Sequence, residues 1–173
     1  MGLRPAHTMT AFFRIRCNRR EEIMTTSDKT IPPLPRMLGL AGLVPFWLLA
    51  LALVTGIGFG RDPEALRFAL AAYGAVILSF TGGIRWGIAV MMEEQANAGR
   101  EYVISVIPAL LAWGTLLLPP SWQLGSLAAL IVIAGLLDYG MVCRENAPEW
   151  FGNLRLILAG GAAAALILAA LAG

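Results

Sequence analysis

A chain of 173 residues that is 58% hydrophobic and 14% charged, with a mean hydropathy of +0.71, is too apolar for a water-soluble domain, which runs nearer half apolar and a quarter charged. The net charge of +2 is small and most basic residues fall in the first 36 positions, which excludes the basic face of a nucleic-acid-binding domain. Lipid is the solvent for most of this sequence, and its charges are read as topology.

Residues 1–36 read as a disordered basic tail. The stretch FFRIRCNRREE has no long apolar core, so it is not a secretory signal peptide, and Glu21 and Glu22 argue against a transit peptide. Met24 is an alternative start of translation, in which case the residues before it are a mispredicted start. Five apolar runs follow, 37–59, 66–92, 102–118, 122–143 and 154–172, near the roughly 20 helical residues that cross a hydrocarbon core of about 30 Å. They are separated by Arg61-Asp62-Pro63, by the segment from Glu93 to Glu101, by Pro119-Pro120 and by the segment from Arg144 to Asn153. The third run is the shortest and contains Pro108. All five are continuous rather than alternating, which disfavours a transmembrane barrel, and helices satisfy every backbone group inside lipid. The expected fold is all-α, a polytopic integral membrane protein built as a bundle of about five transmembrane helices.

Lys and Arg in short loops mark the cytoplasmic side. With five spans, Lys29, Arg36, Arg100, Arg144 and Arg155 share one side, against Arg61 and Arg67 on the other. The N-terminus is therefore expected inside and the C-terminus outside. Cys17 and Cys143 both fall on the reducing side, where disulfides are rare, and the one histidine is His7. No metal centre is expected from so few ligands, and no cofactor.

Within the second span, TGGIRWG carries Arg85 about 10 Å below the inner boundary, seven residues before Met92 at 1.5 Å per residue. A charge at that depth costs on the order of 2–3 kcal/mol unless it snorkels or pairs. Asp138, in GLLDYGMV of the fourth span, is the one acidic residue read as interior to a span, and it lies at a similar depth, about 8 Å from its boundary. Both helices run inward, so the two charges can meet. At 100° per residue Arg85 shares a face with Gly74, Leu78 and Thr81, and Asp138 with Ile131, Ala134 and Gly135. Ala71, Ala75, Ser79, Gly83 and Gly87 form a second small-residue stripe on the same helix, which is read as the centre of the bundle. Neutralising either Arg85 or Asp138 is expected to lower the amount of folded protein, and exchanging the two charges to restore part of it.

The segments LGLAGLVPF (38–46), YGAVILSFTGGIRWG (73–87) and PEWFGNLR (148–155) resemble the signature stretches of the domain of unknown function 3429 family. The resemblance covers Leu38 to about Ala172, with Thr81 standing where a larger apolar residue is expected. It implies a small polytopic protein of the inner membrane, with no established activity and no catalytic residues to carry over.

The remaining features gather at the inner face. In CRENAPEWFGNLR, Trp150 and Phe151 sit at the level of an aromatic belt beside Asn153 and Arg155. The candidate binding set is Arg85, Asp138, Thr81, Trp86, Trp150, Asn153 and Arg155, a polar pocket suited to an anionic lipid headgroup or a docking partner, although a solvated loop with ordinary anchors and a static ion pair are the plainer readings. Trp47 and Trp113, inside spans, read as packing residues, and Trp122 as an interface anchor.

Three functions follow. A non-catalytic accessory or assembly factor for a membrane complex fits the short loops and absent chemistry, with the lipid bilayer and either a membrane-protein partner or a second copy of the chain around it. A small-solute or proton-coupled transporter would use the Arg85 and Asp138 pair, but the outer half offers little beyond Thr55, Ser79, Thr115, Gln123 and Ser126, and no repeat of halves is visible. An enzyme is not expected, because no Ser-His set, Asp pair or H-E-x-x-H motif is present.

Overall fold

A computed structural model describes residues 30–58, 60–91, 98–142 and 148–172. The tail up to residue 29, Cys17, Cys143, Arg144 and Glu145 lie outside the described residues.

Five helices follow one another: α1 (Pro33–Thr55), α2 (Pro63–Met91), α3 (Ala98–Leu116), α4 (Pro120–Val142) and α5 (Glu149–Leu171). Every helix begins two to five residues before the apolar run that announced it. Hydropathy marks where lipid begins, whereas backbone chemistry marks where a helix begins. Proline opens α1, α2 and α4, at a position whose N–H would have no intrahelical partner and whose φ is already helical. Asp62 caps α2, its Oδ1 accepting from the Ala65 N–H at 2.7 Å, and extended Pro148 leads into α5. Gly56 closes α1 in the left-handed conformation at φ 71°. Between α3 and α4, the Gln123 side chain donates to the carbonyls of Leu116 and Leu118 at 3.2 and 2.9 Å, satisfying the exposed end of α3.

Helices α1, α2, α4 and α5 are long and apolar enough to cross a bilayer. The third is 19 residues, roughly 28 Å at 1.5 Å per residue, with Arg100 and Glu101 in its first turns. The chain is thus a polytopic membrane bundle. Its α2 and α3 pack as one antiparallel hairpin, α4 and α5 as a second, and α1 lies against α5 and α2; α2 touches all four other helices. Phe46, Leu70, Leu78, Leu124, Leu127 and Leu166 are the large fully buried side chains, and alanines fill most of the remaining interior. Small residues replace the hydrophobic effect as the means of close approach, since lipid tails are as apolar as the core. Apolar side chains such as Val76, Phe80, Leu110 and Ile133 face outward. So does Trp113, 63% exposed, which corrects its reading as a packing residue: its helix position is on the lipid side, while Trp47 is borderline at 37%.

Candidate functional site

Charged side chains from four helices meet near one end of the bundle, the end that holds the start of α1. Arg85 on α2 donates from Nε to Asp138 Oδ1 on α4 at 2.9 Å, from Nη1 to Glu101 Oε2 on α3 at 3.2 Å, and from Nη2 to the Leu137 carbonyl at 2.7 Å. Asp138 accepts a second arginine through Oδ2, from Nε of Arg155 on α5 at 2.7 Å. Side-chain exposures are 7% for Arg85, 5% for Glu101, 4% for Asp138 and 12% for Arg155. The chain of contacts runs Glu101, Arg85, Asp138, Arg155, so its signs alternate and its formal charges cancel. Each member lies within about 10 Å of its helix end at 1.5 Å per residue. Alternation of sign, with Arg85 and Asp138 hydrogen-bonded through every side-chain nitrogen and oxygen of their charged groups, is what makes four charges tolerable in a low-dielectric interior.

The helices are brought together at this level by two close contacts of one pattern. Gly82 lies three residues before Arg85, and a Cβ there would collide with the backbone oxygen of Ser105, four residues after Glu101. Gly135 lies three residues before Asp138, and a Cβ there would come within 2.7 Å of the Cβ of Ala159, four residues after Arg155. Each hairpin therefore sets its charged pair one turn away from a glycine. The local sequences match as well: TGGIRWG at 81–87 and AGLLDYG at 134–140 share two glycine positions, 82 with 135 and 87 with 140, and an aromatic residue after the charge, which is of opposite sign in the two. The two halves repeat this arrangement, a repeat that hydropathy and residue identity alone hid because the key position changes sign.

Of the residues singled out from sequence, the structure brings Arg85, Asp138 and Arg155 into contact. Thr81 is buried one turn away, and its hydroxyl donates to the Leu78 carbonyl at 2.8 Å rather than to the charges. Trp86 is 49% exposed and packs edge-on against Tyr102, with ring centroids 4.9 Å apart. Trp150 is half-buried beside Phe151, and Asn153 is exposed. Glu101 went unread because it was assigned to a loop; once α3 starts at Ala98, Glu101 and Ser105 fall on one face, and Glu101 is an interior acid in its own right.

Two clefts flank the network. One, about 290 Å³, opens between α3 and α4, with Ile104, Pro108, Ile133 and Leu137 on its walls and Arg85 and Asp138 at its base. The other, about 440 Å³, lies among α1, α2 and α5, where Gly42, Phe46, Leu158 and Ala162 line its length and Trp150 and Arg155 its end. Leu78, Thr81 and Ala134 are walls of both. Among the described residues no buried side-chain nitrogen or oxygen lacks a hydrogen bond, and no cluster of three His, Cys, Asp or Glu is placed to hold a metal ion.

Relatives carry the same kind of chain. Transmembrane protein 69 of Xenopus tropicalis is 42% identical over 144 residues, 80% of this chain and 53% of that protein, and transmembrane protein 69 of Mus musculus is 30% identical over 142 residues, 80% of this chain and 55% of that protein. The chain thus spans about half the length of these relatives. No solved structure matches it. A family profile described as a protein of unknown function, DUF3429, matches residues 31–171, all five helices with the network and both clefts, and the chain belongs to that family.

Proposed function

We propose that the protein is a non-catalytic accessory or assembly factor of an inner-membrane complex, with its N-terminus in the cytoplasm and its C-terminus outside. The observation that carries this reading is the full engagement of the central pair of the charge network. Arg85 spends Nε, Nη1 and Nη2 on fixed partners, and Asp138 spends both oxygens. A proton carrier or a catalytic acid needs a group left to change partners. Beyond the network, the polar side chains toward the other end satisfy nearby backbone: Thr55 donates to Leu51 O, Ser79 to Ala75 O and Thr115 to Ala112 O. They supply no polar route across the bundle. The experiment is purification of a C-terminally tagged copy from its native membrane in mild detergent, followed by native gel and mass spectrometry. A stoichiometric protein partner supports the proposal, and migration as a homogeneous monomer opposes it.

A small-solute or proton-coupled carrier is the second reading, favoured by one observation: the two clefts meet at shared walls beside the charges. Flux in proteoliposomes that disappears with Asp138→Asn supports it, and flux that survives Asp138→Asn and Arg85→Leu removes the pair from any mechanism.

A further inference from the structure

The two arginines of the network are not equivalent. Arg85 has all three guanidinium nitrogens engaged. Arg155 makes one hydrogen bond, from Nε to Asp138, and its Nη1 and Nη2 have no hydrogen-bond partner among the described residues. Among the described residues neither nitrogen is enclosed without a partner, and the side chain is 12% exposed. The space beside Arg155 is the cleft among α1, α2 and α5. Its volume, about 440 Å³, lies within the roughly 300–1,000 Å³ of small-molecule sites, and its walls are apolar apart from Thr81 and Arg155. Trp150 and Phe151 stand at the same end as the arginine, where an amphipathic ring suits the boundary between headgroup and hydrocarbon.

We propose that this cleft is a binding site for an anionic phospholipid of the surrounding bilayer, whose phosphate accepts from Nη1 and Nη2 of Arg155 while one acyl chain lies along Gly42, Phe46, Leu158 and Ala162. Charge complementarity selects the occupant. A guanidinium held by a carboxylate through Nε keeps its other edge for a second anion, and a planar pair of N–H donors fits two phosphate oxygens. The lipid would be wedged between α1 and the two hairpins. In this arrangement the charge network serves as the floor of the site, positioning Arg155 rather than reacting.

The test uses the full chain in mild detergent, with native mass spectrometry during titration with phosphatidylglycerol or phosphatidylcholine. Arg155→Gln removes the donors but leaves Asp138 short of one partner, so a variant outside the network is needed. Gly42 supplies it: a Cβ on Gly42 meets nothing within 4 Å and the residue lines the cleft, so Gly42→Leu starts from an unobstructed Cβ and is chosen to fill the site. Expected is one phosphatidylglycerol per chain, bound about tenfold more tightly than phosphatidylcholine, at least a fivefold loss with Gly42→Leu at unchanged thermal midpoint, and loss of the preference between the two lipids with Arg155→Gln. Arg100→Gln, at the other cleft, is expected to leave binding unchanged. Equal binding of the two lipids, full binding by Gly42→Leu, or loss with Arg100→Gln alone would overturn the proposal. Displacement of phosphatidylglycerol by millimolar inorganic phosphate alone would overturn the lipid as the source of the anion. These outcomes are read without reference to a protein partner, so they stand apart from the accessory reading.

Discussion

Asp138 is the residue on which the interior charge arrangement turns, because it accepts both arginines at 2.9 and 2.7 Å, whereas Glu101 accepts one at 3.2 Å. Removing one member of a buried pair leaves an uncompensated charge and costs about 3–5 kcal/mol. Asp138→Ala is therefore expected to lower the thermal midpoint in detergent well below that of Glu101→Gln, which leaves the signs of the other three intact; the reverse order would show that Arg155 is held by something else. The four-membered chain also changes what a charge exchange does. Arg85→Asp combined with Asp138→Arg would put a carboxylate beside Glu101 and a guanidinium beside Arg155, two like-charge contacts in place of two attractive ones. The double exchange is thus expected to yield less folded protein than either single neutralisation, and the fourfold inversion at positions 85, 101, 138 and 155 to yield more than the double. Rescue by the double exchange alone would mean that Glu101 and Arg155 are not in contact with the pair. Arg85 and Asp138 were legible in the sequence because a charge surrounded by apolar residues is conspicuous and its depth can be counted at 1.5 Å per residue. Glu101 and Arg155 were not seen as partners, because both stand beside charged loop segments from which sequence cannot separate the first turns of a helix.

At the scale of the helix, the small-residue patterns were visible but their use was not. The stripe Ala71, Ala75, Ser79, Gly83, Gly87 divides in the structure: its first two members are buried, Ser79 is half-buried, and Gly83 and Gly87 are exposed, with nothing near where a Cβ would be. The close approach belongs to Gly82, one position over, where α3 passes against the backbone. Periodicity gives the residues that share a face but not which neighbour presses on it, and in lipid an apolar outer face looks like an apolar inner one. The stripes beside the charges fared better: Gly74, Leu78 and Thr81 are buried with Arg85, and Ile131, Ala134 and Gly135 with Asp138. The adjacent glycines give an internal comparison. Gly82→Ala must push α3 away from Ser105 and, with it, Glu101 from Arg85, an overpacking cost of about 1–3 kcal/mol. Gly83→Ala meets open space and replaces a poor helix former, so it should be neutral or stabilising by up to about 1 kcal/mol. Unfolding of both variants in the same detergent measures the difference, and equal midpoints would mean that α2 and α3 are not in tight contact.

For the whole molecule, the helix count and the position of the network together constrain threading. The C-terminal ends of α2 and α4 and the N-terminal ends of α3 and α5 gather the four charges at one end of the bundle, with the start of α1 there too; the turn at Pro119-Pro120 and the end of α1 lie at the other. The repeated hairpins, α2 with α3 and α4 with α5, run the same way, so Arg100 and Arg155 fall on the same end by construction rather than by coincidence. Positively charged residues near short loops are retained in the cytoplasm, so the orientation proposed above takes the network end as the inner one. A chain in which Cys17 and Cys143 are changed to serine and one cysteine is added back reads this directly. Gly99→Cys, exposed at the start of α3, should resist a membrane-impermeant maleimide in intact cells and react after the membrane is opened, while Ser121→Cys, exposed at the start of α4, should react in intact cells. The opposite pattern would invert the bundle and place Arg155 and its cleft in the outer leaflet. Labelling of both positions in intact cells would mean that α3 does not cross, and then the carboxylate of Glu101 could not meet Arg85 from the far side of a spanning hairpin. The short, charged third helix is thus the element on which topology and ion network stand or fall together.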